Sequence, residues 1–185
     1  MSIFDSLKET ATNAVKAPAT PANDSMTFTF QALPESVDEM KTLPEANLDS
    51  PFKAAALTIC ALCAYAAVPE IGIDMLNFLK GPQPLSAYDL SFLKDRFRDQ
   101  KYVPFSYFKG AVPGNNYTPD QPFTVTFHTN PYSYDNEGYC VVYVKSGGAD
   151  SERQIKLRRK GDQWFLWEQF VMVGIRKSAA EDPWA

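Results

Sequence analysis

With 185 residues, 45% of them hydrophobic and 14% aromatic, the chain can bury a sizeable core, which excludes an intrinsically disordered protein. A formal charge of −4 and a pI near 5.0 exclude a general attraction to nucleic acid, whose phosphates need a basic face. Three cysteines, Cys60, Cys63 and Cys140, are an odd set that excludes a closed disulfide framework and fits a reducing, cytoplasmic setting.

Residues 1–16, "MSIFDSLKETATNAVK", lack the basic start and continuous apolar centre of a secretory signal. Ile3, Phe4, Leu7, Ala11, Ala14 and Val15 follow helical spacing, so an amphipathic helix is expected over 2–16, tethered by the small, proline-containing "APATPAND". Asp5 and Glu9 oppose Lys8 and Lys16, which argues against a membrane-surface role. The chain therefore divides into a helix and linker, 1–24, and one domain, 25–185.

"MTFTFQ" alternates and reads as a half-buried strand with Met26, Phe28 and Phe30 inward. "PESVDEMKTL" reads as a short helix entered through Pro34. Asp49-Ser50-Pro51 is a strong helix start, a capping residue followed by proline at the first helical position. The helix it opens is apolar all round, runs to Val68 and stops at Pro69. Its segment "AAALTICALCAYAAV" is shorter than the about 20 residues a membrane span needs, so a buried core helix is expected.

A second helix is expected over 70–81, ended by Gly81 and Pro82. A third, "SAYDLSFLKDRFRDQ", opens on a capping box made by Ser86 and Asp89, with Leu90, Leu93 and Phe97 inward. The period then switches to two. "FTVTFHT" is a strand, and "YCVVYVK", apolar on both faces, is a central one. "RQIKLRR" alternates around Ile155 and Leu157, and a hairpin at Lys160-Gly161-Asp162 leads into "QWFLWEQFVMV". Helices followed by a run of strands give an α+β fold: an antiparallel sheet of four to five strands with three helices on one face, plus the N-terminal amphipathic helix.

Chemistry-bearing patterns are sparse. Cys60 and Cys63 have redox spacing but sit in mid-helix among alanines and leucines, where burial raises a thiol's pKa. His128 is the one histidine, on a strand face opposite Phe127, and no partner for it is indicated locally. "YDNEGY" lacks the ligand series of a calcium loop, and "SGGADS" lacks the lysine and following helix of a phosphate cradle. No catalytic residue, metal ligand or cofactor is assigned, and an enzymatic role is not expected. Lys156 and Arg158 share the outer face of their strand, a solvated edge or an anion-docking surface.

The segment "YVPFSYFKGAVPGNNY" combines loop punctuation with five aromatics. Exposing all of them would make an apolar patch larger than monomers tolerate, so Phe105 and Phe108 are expected inside. Tyr107 and Tyr117 are expected to keep wet hydroxyls and, with Tyr132 and Tyr134 of "NPYSYDNEGY", to form a tyrosine-rich recognition face.

"LPESVDEMKTLPEANLDSPFKAAALTICALCAYA", "MLNFLKGPQPLS", "FLKDRFRDQKYVPFSYFKGAVPGNNYTP" and "QIKLRRKGDQWFLWEQF" resemble a family of uncharacterised proteins from Gram-positive anaerobes of the Firmicutes, from about residue 32 to the end. The resemblance implies a free-standing cytoplasmic bacterial protein and transfers no activity. The helices-then-strands order, with "KGDQWFLWE", is also similar to nuclear transport factor 2-like proteins. That similarity implies a pocket between helix and sheet lined by Tyr65, Phe78, Phe127, Tyr143 and Trp167. The expected function is a non-enzymatic interaction or assembly domain, meeting a protein partner or a second copy through the N-terminal helix and the aromatic loops. The alternative is a small-ligand pocket protein, with or without an enzymatic activity.

Overall fold

The computed structural model of the chain describes residues 23–185, so the amphipathic helix expected over 2–16 lies outside the described residues. The elements are β1 (Ser25–Phe30), α1 (Val37–Thr42), α2 (Pro51–Ala67), α3 (Pro69–Lys80), α4 (Ala87–Phe97), β2 (Phe123–His128), β3 (Tyr139–Val144), β4 (Arg153–Lys160) and β5 (Gln163–Gln169). Short 3-10 turns lie at Pro44–Asn47, Val103–Tyr107 and Pro113–Asn115. The fold is α+β.

The five strands form one antiparallel sheet in the order β1-β2-β3-β4-β5, so the two-faced apolar strand is the central one. β2 meets β3 at Phe127↔Val144 and His128↔Tyr143. Below that row the segment after α4 fills the gap: Lys109 N donates to Thr124 O at 2.8 Å, and Ser106 O accepts from Gly147 N at 2.8 Å.

Alternation sets the core. Phe28, Phe30, Val125, Phe127, Cys140, Val142, Val144, Ile155, Leu157 and Leu166 are buried on the inner face. Met26, expected with them, is 38% exposed, because it lies near the start of an edge strand beyond the reach of the helices. α2 crosses this face and touches β2 to β5. A helix apolar on every side must be covered on every side, and from Ala54 to Cys63 every residue of α2 is buried. Its alanines let the backbone lie close to the sheet.

The local signals explain the helix ends. Ser50 Oγ accepts from Phe52 N at 3.2 Å with Pro51 next. Pro69 both stops α2 and opens α3, Val68 capping both. At α1 the cap is Ser36, which accepts from Glu39 N at 3.1 Å, rather than Pro34. The α4 capping box is formed: Asp89 N donates to Ser86 Oγ at 3.1 Å and Ser86 N to Asp89 Oδ2 at 2.8 Å. α4 closes against α2 through Phe97, whose ring centre is 4.5 Å from that of Tyr65. Its buried stripe is narrow. Leu93 and Phe97 are inside, Phe92 is half-buried beneath Arg96, and Leu90, expected inward, is exposed.

Candidate functional site

The aromatic loop does not provide the surface its tyrosines suggested. Tyr107 and Tyr117 are buried. The Tyr107 hydroxyl donates to Val171 O, and the Tyr117 hydroxyl to Arg176 O at 2.6 Å. Both acceptors belong to the irregular segment after β5, which crosses the loop and takes up hydroxyls that would otherwise need water. Phe108 is buried as expected, and Phe105 is half-buried. Of the four expected tyrosines, Tyr132 (72% exposed) and Tyr134 (36%) stay on the surface, in the β2–β3 connection.

The outer face of the sheet supplies the better-built surface. Strand alternation points Tyr139, Val141 and Tyr143 of β3 and Gln154, Lys156 and Arg158 of β4 outward, in the register Tyr139↔Arg158, Val141↔Lys156 and Tyr143↔Gln154. A bulge interrupts β4–β5: Lys156 faces Glu168 but Leu157 faces Leu166, which leaves Trp167 as the extra residue. The extra residue re-aims its side chain. The Trp167 ring meets Tyr139 edge-on at 5.6 Å. Arg158 lies 4.7 Å from the Trp167 ring centre and 5.5 Å from that of Tyr139, and the Lys156 ammonium lies 4.9 Å from Tyr139.

Each such cation–ring contact contributes about 0.5–1 kcal/mol at an exposed site and holds the long basic side chains in place. Tyr134 does not join this cluster: its ring is edge-on at 6.2 Å to Trp164, which has the inward strand parity of Leu166. The structure thus brings Lys156 and Arg158 together with Tyr139 and Trp167.

The five candidate pocket residues do not converge. Tyr65 packs on Phe97, and Phe127 is fully buried in the core beside Phe28. Phe78 is half-buried beneath Lys41, 5.5 Å away. Tyr143 stands on the opposite face of the sheet, stacked on His128 at 5.7 Å. Trp167 alone among the five lines a cleft described below. The alanine-rich α2 lies too near the sheet for these rings to face a common space.

His128 has a partner the sequence did not indicate: its Nε2 is 3.1 Å from Glu152 Oε2. Glu152 precedes β4, and the β3–β4 register returns it to the end of β2. The pair lines a cleft of about 660 Å³ that also holds Lys109, Ser106 and Ser146. Ser146 Oγ donates to Ser106 Oγ at 2.8 Å, and Ser106 donates to Val103 O at 2.6 Å. That chain of hydroxyls carries its protons into the interior, not toward the imidazole.

Burial pushes the Cys60 and Cys63 thiols far above the ordinary value near 9, and the Cys140 thiol to about 11. Burial also raises the Tyr107 and Tyr117 hydroxyls above their ordinary value near 10. In the unfolded chain these groups release protons that the folded chain retains. Stability is therefore complete below the unfolded values and falls as pH climbs from about 9 toward the raised folded values. The urea midpoint is expected to be lower at about pH 10.5 than at about pH 8; equal midpoints contradict this account.

Among the described residues, no group of three or more His, Cys, Asp and Glu side chains is placed to hold a metal ion, and no helix is long and apolar enough to cross a membrane.

A five-stranded antiparallel sheet covered on its inner face by a buried helix, with a cation–aromatic cluster on its outer face, defines an α+β domain whose outer sheet face no other element covers among the described residues. The chain belongs to the family described as Domain of unknown function (DUF6935), whose model matches residues 32–179, from just after β1 through the segment beyond β5. No curated protein and no solved structure matches it.

Proposed function

We propose that the chain is a non-enzymatic protein-interaction domain working in the cytoplasm, with its contact surface on the outer face of the sheet. The observation that carries the reading is the Tyr139–Trp167–Lys156–Arg158 cluster: rings and cations of three adjacent strands, held by one another on rigid elements in a net acidic chain. Rings already fixed by their neighbours lose little freedom on binding, and the local positive charge selects a partner with an acidic patch. Tyr132, exposed in the β2–β3 connection, offers a further ring at the surface. The free, buried cysteines support a reducing compartment.

The test is affinity capture followed by direct binding of the purified partner, comparing the wild type with Lys156→Glu/Tyr132→Ala. Both positions lie at the surface, so the double variant is expected to keep its circular dichroism spectrum and lose partner affinity about tenfold or more. Equal affinity for both chains, or a strict monomer that captures nothing, overturns the reading. Residues 1–24 enter the same experiment as a truncation, which tests self-association by light scattering.

A further inference from the structure

Along the β5 edge of the sheet lies a second site, which adjoins the partner-binding cluster at Arg158 and Trp167: we propose that the cleft between β5, α3 and α4 binds a small amphipathic anion, its acidic head beneath the β4–β5 hairpin and its apolar tail against α4. This goes beyond the partner-binding face.

The site consists of two adjoining hollows. One, of about 330 Å³, is walled by Leu62 of α2, Leu76 of α3, Leu85, Phe92 and Leu93 of α4 and its approach, and Phe170. The other, of about 360 Å³, is lined by Lys80, Arg158, Arg159 and Lys160, with Phe165 as apolar floor. They share Lys80, Leu166 and Trp167. Each falls near the lower end of the about 300–1,000 Å³ typical of small-molecule sites.

Charge divides the two. Four cations and no carboxylate line the second hollow. Lys80 Nζ donates to Trp167 O at 3.2 Å, which uses one of its three N–H groups. Arg159 lies 4.0 Å from Asp162, too far for a strong pair. The acids lining the first hollow are Asp89 and Glu168. Asp89 is committed to Ser86, accepting from both its N and Oγ at 2.8 Å, and Glu168 faces Lys156 across the strand pair. The first hollow is thus largely apolar, with Asp89 held by Ser86 and Glu168 opposite a cation in the strand register. Large rings stand in water at its rim, Tyr88 at 78% and Phe170 at 47% exposure. Apolar rings beside an apolar hollow gain from a tail that covers both.

A peptide adding as a sixth strand does not suit this edge. Trp164 N already donates to Leu48 O at 2.8 Å, Gln163 Nε2 to Asn47 O at 3.1 Å, and Trp167 O accepts from Lys80. Two of the main-chain groups that β-augmentation would use, Trp164 N and Trp167 O, are taken.

Titration calorimetry and tryptophan fluorescence with decyl phosphate and decanoate, kept below their micelle concentrations, test the proposal, Trp167 reporting from the junction. Saturable one-to-one binding of either anion is expected, with decyl glucoside (tail without charge) and inorganic phosphate (charge without tail) weaker by about tenfold or more. Whichever anion binds more tightly identifies the head group. Arg159→Glu/Lys160→Glu and Phe170→Asp, all at exposed positions, are each expected to weaken binding about fivefold or more, whereas Tyr132→Ala leaves it unchanged. No saturable binding of either anion, equal binding of decyl glucoside, or full affinity in both cleft variants overturns it. Because Tyr132 lines neither hollow and Phe170 lies outside the Tyr139–Trp167–Lys156–Arg158 cluster, Tyr132→Ala and Phe170→Asp let the two proposals fail independently.

Discussion

Phe127→Ala is expected to lower the free energy of unfolding by about 3–5 kcal/mol, out of a total that for such a domain is about 5–15 kcal/mol. Phe127 has no exposed surface. It opposes Met26 on β1 and Val144 on β3, and its ring meets Phe28 edge-on at 6.3 Å. It therefore occupies one of the two registered rows through which β2 meets β3. Truncation empties a space bounded by three strands and α2, and the short ladder there gives the walls little scope to collapse. The melting temperature is expected to fall by about 6–20 °C, at about 2–4 °C per kcal/mol. Phe127→Leu, which keeps most of the volume, costs under about 1.5 kcal/mol. A loss below about 1 kcal/mol for the alanine variant would show that the β2–β3 row is not packed as described.

Gly72→Ala sets local preference against tertiary packing. In a helix interior alanine is better than glycine by about 1 kcal/mol, so α3 alone would gain. At Gly72, however, a Cβ would stand 2.3 Å from the Cβ of Tyr65 and 2.4 Å from its Cα. The obstacle is main chain of α2, which cannot rotate aside, so the two helices must separate. Overpacking of this kind costs about 3 kcal/mol, for a net loss of about 2 kcal/mol. The measurement is the urea midpoint. A rise in stability would contradict the close approach of α2 and α3, and Gly72→Val is expected to cost more than Gly72→Ala.

Where residues a few positions apart decide the outcome, the sequence was readable. The Ser86–Asp89 box, the Ser50-Pro51 start, the hairpin at Gly161 and the central placement of β3 all rest on near neighbours or on alternation within one strand. Pro69 was half legible: a proline that halts one helix also suits the first position of the next, and only the turn at Val68 decides between them.

The candidate site was harder to read because its contacts are distant in the chain. Tyr107 and Tyr117 turn inward to carbonyls 64 and 59 residues away, with no local pattern to announce it. Lys156 and Arg158 were visible as outward cations. Their ring partners Tyr139 and Trp167 became evident only with the register and with the bulge that displaces Trp167. The cationic hollow unites Lys80 at the end of α3 with the β4–β5 hairpin, and the His128–Glu152 pair needs two strand pairings at once. No periodicity encodes such meetings.

The connection between the first two strands bears on how the sheet assembles. β2 to β5 follow one another through short links, whereas the β1–β2 pair joins threonines 99 residues apart, Thr27 and Thr126, with every helix strung between them. Closing so wide a loop costs chain entropy before any ladder bond repays it. The three-strand meander ending at β5 can thus form early, and β1 zips on last. In hydrogen exchange its amides should be the first of the sheet to open, leaving the other four strands and α2 in place.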